Sequence, residues 1–301
     1  MSPFTNPRRA LGAASLLALV AGVLVVASGG CAADIRPDAL KTLERPKPDA
    51  EARGRALLAR AAEVHGRATW EGVRTYTVTL QDDWQGLMPR MLSPWPETDA
   101  HVRMSFLAGS FDARVEFLDG AMKGKLWGMQ SWKTYTAEPG KEPTFTPNDD
   151  ARFIMPALQY LFEFHFRDHS GQVVSYAGPE TVRGKEYERV FVTWEGLEPS
   201  SKVDQYMVYI DPKTGQVRKI FYTVREIMDM ATGAIHFEDL REVDGVLFPY
   251  MQYVTFDVHD DPKAFAHRVT VESVQWNAPA ASAFVVDADL TPMGDEKTSS
   301  R

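Results

Sequence analysis

The longest regular pattern of hydrophobic and polar positions covers residues 206–258. Runs of β-branched and aromatic residues alternate there with Gly-containing breaks at 211–215, 231–233 and 244–245. Such breaks are the strongest short-range signal for antiparallel hairpins. The pattern therefore predicts four consecutive strands. Within 246–258 the even positions are mainly apolar and the odd positions mixed, which predicts one dry face and one mixed face.

Two helices and further strands are predicted in the rest of the chain. Residues 50–65 have an apolar stripe at helical spacing, and Gly66 supplies a C-terminal stop. Residues 151–166 are apolar nearly all round and follow an Asn-Asp-Asp cap, while Pro156 predicts a kink or a break into two short helices. The other predicted strands cover 73–80, 101–107, 112–118, 121–128, 131–137, 172–182, 187–194, 265–276 and a last short one within 279–286.

These elements predict an α+β protein that is mainly antiparallel β. Long antiparallel strands in an uninterrupted series tend to curl, so we expect a curled, unclosed β-barrel of about 11–12 strands. The apolar helix is expected to cover the concave face. We place one domain at 50–290 and a disordered polar tail at 291–301.

Residues 81–99 do not fit the strand pattern. They carry Trp84, Met88 and Leu92 among three prolines, which bar the segment from a central strand. The favoured interpretation is a loop folded onto the domain. The alternative is a loop that contacts a membrane or a lipid.

The charge balance narrows the class of protein. The formal net charge is -8, and removal of residues 1–30 would take away only Arg8 and Arg9 and leave -10. An acidic chain without a basic block lacks the footprint that nucleic acid requires. The single cysteine, Cys31, excludes an intrachain disulfide and a cysteine-based zinc site.

The N-terminus has the three parts of a secretory signal. Arg8-Arg9 precede an apolar run over about residues 10–27, and small residues at 28–30 precede Cys31. We therefore interpret 1–30 as a signal peptide, although the apolar run is also long enough to act as a retained membrane anchor. Residues 31–49 are rich in proline and charge and predict a flexible tether.

The small residues ending at Cys31 resemble the lipobox of bacterial lipoproteins, with Ser28 where that family prefers Leu. The resemblance implies cleavage before Cys31 and lipid attachment to it. Ala32 stands where that family's inner-membrane retention signal has Asp, which implies the outer membrane, facing the periplasm. The alternative is an ordinary signal peptide followed by an incidental cysteine.

A second resemblance covers residues 50–287. An amphipathic helix ending HGRATWEGV, a long sheet with an apolar helix inserted midway, then VYIDPKTGQVRKI and FEDLREVDGVLFP, resemble the LolA/LolB-type lipoprotein-carrier superfamily. The Asp-Pro-x-Thr-Gly turn and the Val-Asp-Gly-Val…Pro step carry most of it. The resemblance implies an unclosed barrel that holds acyl chains under a helical lid, so a lipid or an acylated protein is the expected ligand.

Residues that carry chemistry are few. His165 and His169 are spaced as a metal pair would be on a continuing helix, but no third ligand is evident, and helix-end residues explain them better. The acidic pairs 82–83 and 149–150 fall at a loop start and a helix cap. The sequence has no nucleophile elbow, P-loop, dinucleotide fingerprint or HExxH motif. We therefore predict no enzyme activity, no metal and no cofactor.

Three hypotheses follow. The first is an envelope lipoprotein that binds a lipid, an acyl chain or another apolar ligand in a half-barrel cavity. The second is a non-catalytic envelope interaction or scaffold protein with a filled core, and the third is a hydrolase with an unrecognised site. Ligand identity, protein partners and oligomeric state stay open. For the first hypothesis the cavity or lid residues are predicted to be Trp84, Met88, Leu92, Phe153, Leu158, Leu161 and Phe162, each of which could instead be ordinary core.

Overall fold

A computed structural model describes residues 32–294, and these contain thirteen strands. The strands are β1 (Thr75–Trp84), β2 (Asp99–Leu107), β3 (Ala113–Phe117), β4 (Leu126–Gln130), β5 (Lys133–Ala137), β6 (Thr144–Phe145), β7 (Val173–Val182), β8 (Lys185–Thr193), β9 (Gln205–Ile210), β10 (Val217–Thr223), β11 (Thr232–Val243), β12 (Val246–Thr255) and β13 (His267–Trp276). They join in one antiparallel sheet in the order β6-β5-β4-β3-β2-β1-β13-β12-β11-β10-β9-β8-β7. The predicted open, mainly antiparallel β fold is confirmed, with one or two more strands than expected.

Five α-helices accompany the sheet in the described residues: α1 (Asp38–Lys41), α2 (Pro48–Val64), α3 (Arg67–Trp70), α4 (Leu87–Leu92) and α5 (Asp149–Glu163). Helix α2 packs along β7, where Gly54 allows close approach because a Cβ there would lie 2.9 Å from the Tyr176 backbone nitrogen. Helix α5 begins at the predicted Asn148 cap, whose side chain accepts a hydrogen bond from the Ala151 amide. It continues through Pro156 without a break, so the predicted division into two short helices is wrong, and residues on both sides of Pro156 pack in the core.

The sheet has an apolar layer on each face. The concave layer is the larger and contains the buried face of α5 together with side chains such as Tyr76, Phe106 and Phe248. The convex layer includes Phe191 and Tyr209. Since each strand sends alternate side chains to opposite faces, both layers come from the same strands.

The segment 31–49, expected to be a flexible tether, includes residues that pack on the convex layer. Leu40 is buried there on α1, and the Ile35 amide donates to the Gln205 side chain over 3.0 Å. The sequence pattern of this segment did not show the contact, because Ile35 and Leu40 are too few to give a period. The predicted signal peptide and Cys31 lie outside the described residues, as does the tail beyond residue 294.

Three predicted local features differ from the structure. The break expected at 231–233 is displaced, because Gly233 pairs with Tyr222 inside the β10–β11 ladder and the turn covers 224–231. The last short strand expected within 279–286 is instead irregular chain with a 3-10 turn at Ala281–Phe284. Residues 121–124 form a turn before β4, so the strand predicted at 121–128 starts later.

Candidate functional site

Four of the seven predicted cavity or lid residues lie on helix α5, which packs on the concave face of the sheet. Leu158, Leu161 and Phe162 on α5 are buried in its apolar layer, and Phe153 is half-buried against it. The Phe162 ring lies 5.1 Å from the Phe248 ring on β12. Helix α5 therefore occupies the space that an open half-barrel would leave for a ligand.

The remaining predicted residues lie at one end of the sheet, which we call the rim. The rim is the end at which β1, β10 and β12 finish and β2, β11 and β13 begin. Trp84 is buried there, whereas Met88 and Leu92 on α4 are exposed. Residues 81–84 belong to β1, so the predicted loop is wrong there, whereas residues 87–92 form the exposed helix α4. Contact of this segment with a membrane or a lipid stays a prediction.

A cluster that we call the rim clasp, Asp82, Trp84, Trp95 and His267, fixes this segment to the sheet. The Asp82 carboxylate is fully buried and accepts from the Trp95 indole over 2.7 Å and from the Trp84 indole over 3.1 Å. His267 Nδ1 lies 2.8 Å from its other oxygen, and the His267 ring stacks on Trp84. Three donors therefore satisfy a carboxylate that would otherwise be costly to bury.

Gln252 lies in the same row of the concave face as Asp82. Both residues pair with Val269, Asp82 from β1 and Gln252 from β12, so they flank it at about 10 Å from each other. Gln252 is completely buried, and neither its amide nitrogen nor its amide oxygen has a hydrogen-bond partner among the described residues. Native proteins leave very few buried amides unsatisfied, and each one needs an explanation.

The alternation of apolar and polar positions along β1 and β12 could have identified both Asp82 and Gln252 from the sequence. Even positions of β12 are apolar except at Gln252, and even positions of β1 are apolar except at Asp82. A polar residue at a core-facing position is either hydrogen-bonded or functional. Asp82 lies inside β1 and not at the predicted loop start, and Gln252 is not among the residues predicted for the site.

A second polar group ties α5 to the sheet. Glu163 is buried with its carboxylate 3.1 Å from the Arg167 guanidinium, and it accepts from Gln159 over 2.9 Å and from the Gly109 amide over 3.2 Å. Burial raises the pKa of Glu163, and the Arg167 charge opposes that rise. Gln159 also donates to the Leu107 carbonyl over 3.0 Å. These contacts position the C-terminal half of α5 on the concave face.

The two histidines considered for metal binding have different contacts: His165 has ring contacts, and His169 has hydrogen-bond partners. His165 is buried, and its ring centroid lies 4.0 Å from that of His65. His169 lies 2.6 Å from the Gln172 side chain and 2.9 Å from the Phe164 carbonyl. Within residues 32–294, no group of three His, Cys, Asp or Glu side chains is arranged to hold a metal ion.

His65 connects three elements at the opposite end of the sheet, which we call the turn end. The Val217 amide donates to His65 Nε2 over 3.1 Å, so Nδ1 carries the proton and donates to the Leu247 carbonyl over 3.2 Å. Burial lowers the pKa of His65 to about 4. The neutral ring therefore connects the end of α2 to β10 and β12.

Comparison with known proteins gives no match to a protein-family model or to a curated protein. Solved structures do match at low identity. A LolA superfamily protein from Nitrosomonas europaea is 10% identical with a TM-score of 0.45, over 77% of this chain and 97% of that one. A putative outer membrane lipoprotein-sorting protein domain from Vibrio parahaemolyticus is 11% identical with a TM-score of 0.46, over 75% and 97%. A DUF1329 family protein from Desulfovibrio piger is 10% identical with a TM-score of 0.47, over 78% and 96%.

These solved structures are what the chain is similar to, and each of the three TM-scores is below 0.5. The similarity concerns the fold alone. None of the helices in the described part of the chain combines the length and the apolar character needed to cross a membrane.

Proposed function

We propose that this chain is a lipid-anchored protein of the bacterial envelope that binds a lipid, a lipoprotein acyl chain or another apolar ligand on its concave face. The anchor is Cys31, and the location is the periplasmic side of the outer membrane. The observation that carries the ligand proposal is Gln252, a fully buried amide on the concave face without a hydrogen-bond partner among the described residues.

The concave face combines a large apolar surface with one amide that has no partner among the described residues. Burying an acyl chain gains about 0.8 kcal/mol per CH₂, so an apolar groove binds it with few polar contacts. An unpaired buried amide costs about 1–3 kcal/mol, which a ligand carbonyl or hydroxyl beside Gln252 would recover. The ligand would take the place of α5, which means that the Gln159 and Glu163 contacts break when it enters.

The test compares Gln252→Leu with the unmodified protein. Native mass spectrometry of the full chain after mild detergent extraction is expected to show a co-purifying lipid, and cis-parinaric acid is expected to bind. Because the variant lacks the polar contact, its affinity for that fatty acid should fall about tenfold while its folding stability rises. Gln275→Leu, at an exposed position of β13, should change neither.

One observation favours a second candidate, the non-catalytic interaction protein with a filled core. The buried Glu163–Arg167 pair fastens α5 to the sheet, and breaking such a pair is costly. If the extracted protein carries no lipid and takes up no cis-parinaric acid, the ligand proposal is wrong and this candidate stands.

A further inference from the structure

Exposed large apolar side chains are concentrated at the rim. Of the eleven that are exposed in the described part of the chain, eight belong to α4, to the turn 224–231 or to the residue after β12. They are Leu87, Met88, Met91, Leu92, Ile227, Met228, Met230 and Phe256. Clusters of exposed apolar residues mark surfaces that contact another apolar phase.

The turn 224–231 carries three of these side chains and has a defined structure. Ile227, Met228 and Met230 are 41%, 59% and 58% exposed. The Ala231 amide donates to the Met228 carbonyl over 2.9 Å, and the Val224 amide donates to the Ala231 carbonyl over 3.0 Å. The turn therefore holds these side chains outward instead of letting them collapse onto the sheet.

The N-terminal part of the described chain starts on this same turn. The Ala33 amide donates to the Asp229 carbonyl over 2.8 Å, between Met228 and Met230. The Arg225 guanidinium donates both to the Ala33 carbonyl and to the Asp229 carbonyl. The chain before Ala33 contains Cys31 and an apolar run over about residues 10–27. Either membrane attachment, by lipid or by retained run, therefore joins the domain beside these methionines.

Helix α4 belongs to the same end of the sheet. It follows β1, whereas the turn 224–231 joins β10 to β11, and three strand spacings separate β1 from β11, which is about 15 Å. Leu87 is 81% exposed, and the rim clasp holds both ends of its segment. Phe256 follows β12, which lies between β1 and β11 in the sheet, and its carbonyl accepts from the Thr232 hydroxyl over 3.1 Å.

We infer that the rim is a membrane-contacting surface: the turn 224–231 and helix α4 insert their apolar side chains into the bilayer to which the N-terminus attaches. This inference rests on the proposed membrane attachment but not on the proposed ligand. The sheet then stands with its rim on the membrane and its turn end away from it. The exposed apolar side chains of both elements suit the acyl boundary of a lipid surface, and the charged residues Arg225, Glu226 and Asp229 of the turn suit the headgroup region beside it.

The test measures the depth of single labelled positions on vesicles of phosphatidylethanolamine and phosphatidylglycerol. The full chain carries Cys31→Ser and is captured by an N-terminal hexahistidine tag on a nickel-chelating lipid, so that capture needs neither lipidation nor the apolar run. Met228→Cys, Met230→Cys or Leu87→Cys is labelled with the fluorophore NBD. Lys213→Cys, exposed at the turn end, is the matched control.

Doxyl-labelled lipids are expected to quench the three rim positions several-fold more than Lys213→Cys, with a blue shift of their emission. Equal quenching at both ends would overturn the inference. So would a blue shift that depends on protein concentration and not on lipid, because it would assign the rim to a second copy of the chain. A protein without any lipid ligand can still pass this test, so its outcome is separate from that of the ligand proposal.

Discussion

The two ends of the sheet are built in different ways. At the turn end the connections are short and use residues with positive φ, such as Arg183-Gly184 and Asp244-Gly245. At the rim the connections are long, and their geometry depends on contacts between distant residues, as in the rim clasp. The turn end is thus determined by local conformation and the rim by tertiary hydrogen bonds to a buried carboxylate.

The two ends of the sheet therefore have different roles: the turn end stabilises the fold, and the rim carries the exposed apolar surface. Polar or glycine residues at the turn end serve the fold, and neutral His65 is the clearest case. At the rim, two buried tryptophans and a buried aspartate position a segment whose apolar side chains are exposed to solvent. Exposed apolar clusters of this kind mark surfaces that contact a membrane or another molecule.

The largest effect is expected from Asp82→Ala. The change leaves the indole groups of Trp84 and Trp95 without an acceptor and should cost about 4 kcal/mol in the free energy of unfolding. Urea denaturation measures it. Asp83→Ala removes a partly exposed pair with Arg268 and should cost no more than about 1 kcal/mol. Similar costs for the two variants would contradict the role given to the rim clasp.

Gly66→Ala is the corresponding test of the turn end. Gly66 has φ +95°, and a Cβ there would lie 2.1 Å from the Gly245 carbonyl oxygen, so we expect a loss of about 3 kcal/mol. Gly109→Ala separates the two causes, because Gly109 also has positive φ but open space around it. That control should lose about 1 kcal/mol. Equal losses would mean that backbone conformation alone, and not contact with Gly245, requires glycine at residue 66.

Acidification should destabilise the protein through the buried histidine of the turn end. Burial lowers the pKa of His65 to about 4, below an unfolded value of about 6.5. Its contribution is therefore complete above pH 6.5 and is lost as the pH falls towards 4, by roughly 3 kcal/mol. His65→Asn should show a smaller fall in unfolding free energy between pH 7 and pH 4 than the unmodified protein. Unfolding curves with the same pH dependence would refute the assignment.

The smallest effect on stability is expected at the exposed side of the rim. Leu87→Ser should change the free energy of unfolding by no more than about 0.5 kcal/mol, because Leu87 has few contacts to lose. Leu158→Ala on α5, which is buried, should cost about 2–5 kcal/mol in the same measurement. A large loss for Leu87→Ser would show that α4 is part of the core and not a surface element.

The sequence predicts the turn end better than the rim, for a physical reason. Gly245 and the Asp-Pro-Lys-Thr-Gly turn at 211–215 are recognisable in the sequence because their residue types favour tight turns. The hairpins predicted at both positions are confirmed. The turn 224–231 has no such residue in its middle, and Gly233 attracted the prediction instead. The pairing of Asp82 with Trp95 and His267 depends on strand register, which a single sequence does not specify.

The candidate site also has one part that the sequence predicts and one part that it does not. The apolar face of α5 follows from its composition, and Leu158 and Phe162 are found on the concave layer as that composition indicates. Whether they line a ligand site stays a prediction. Gln252 required attention to a single polar residue in an apolar alternation, and its lack of partners is visible only in three dimensions.

The attachment of Ala33 to the turn 224–231 also limits how far the domain reaches. A free tether from Cys31 to residue 49 would extend roughly 60 Å, whereas the two residue steps from Cys31 to Ala33 span at most about 7 Å. Under the proposed anchor, the domain stays at the membrane surface and exchanges ligand only with what comes to that surface. It would then act as a membrane-bound acceptor of ligand. Any transport across the periplasm would need a second, mobile protein.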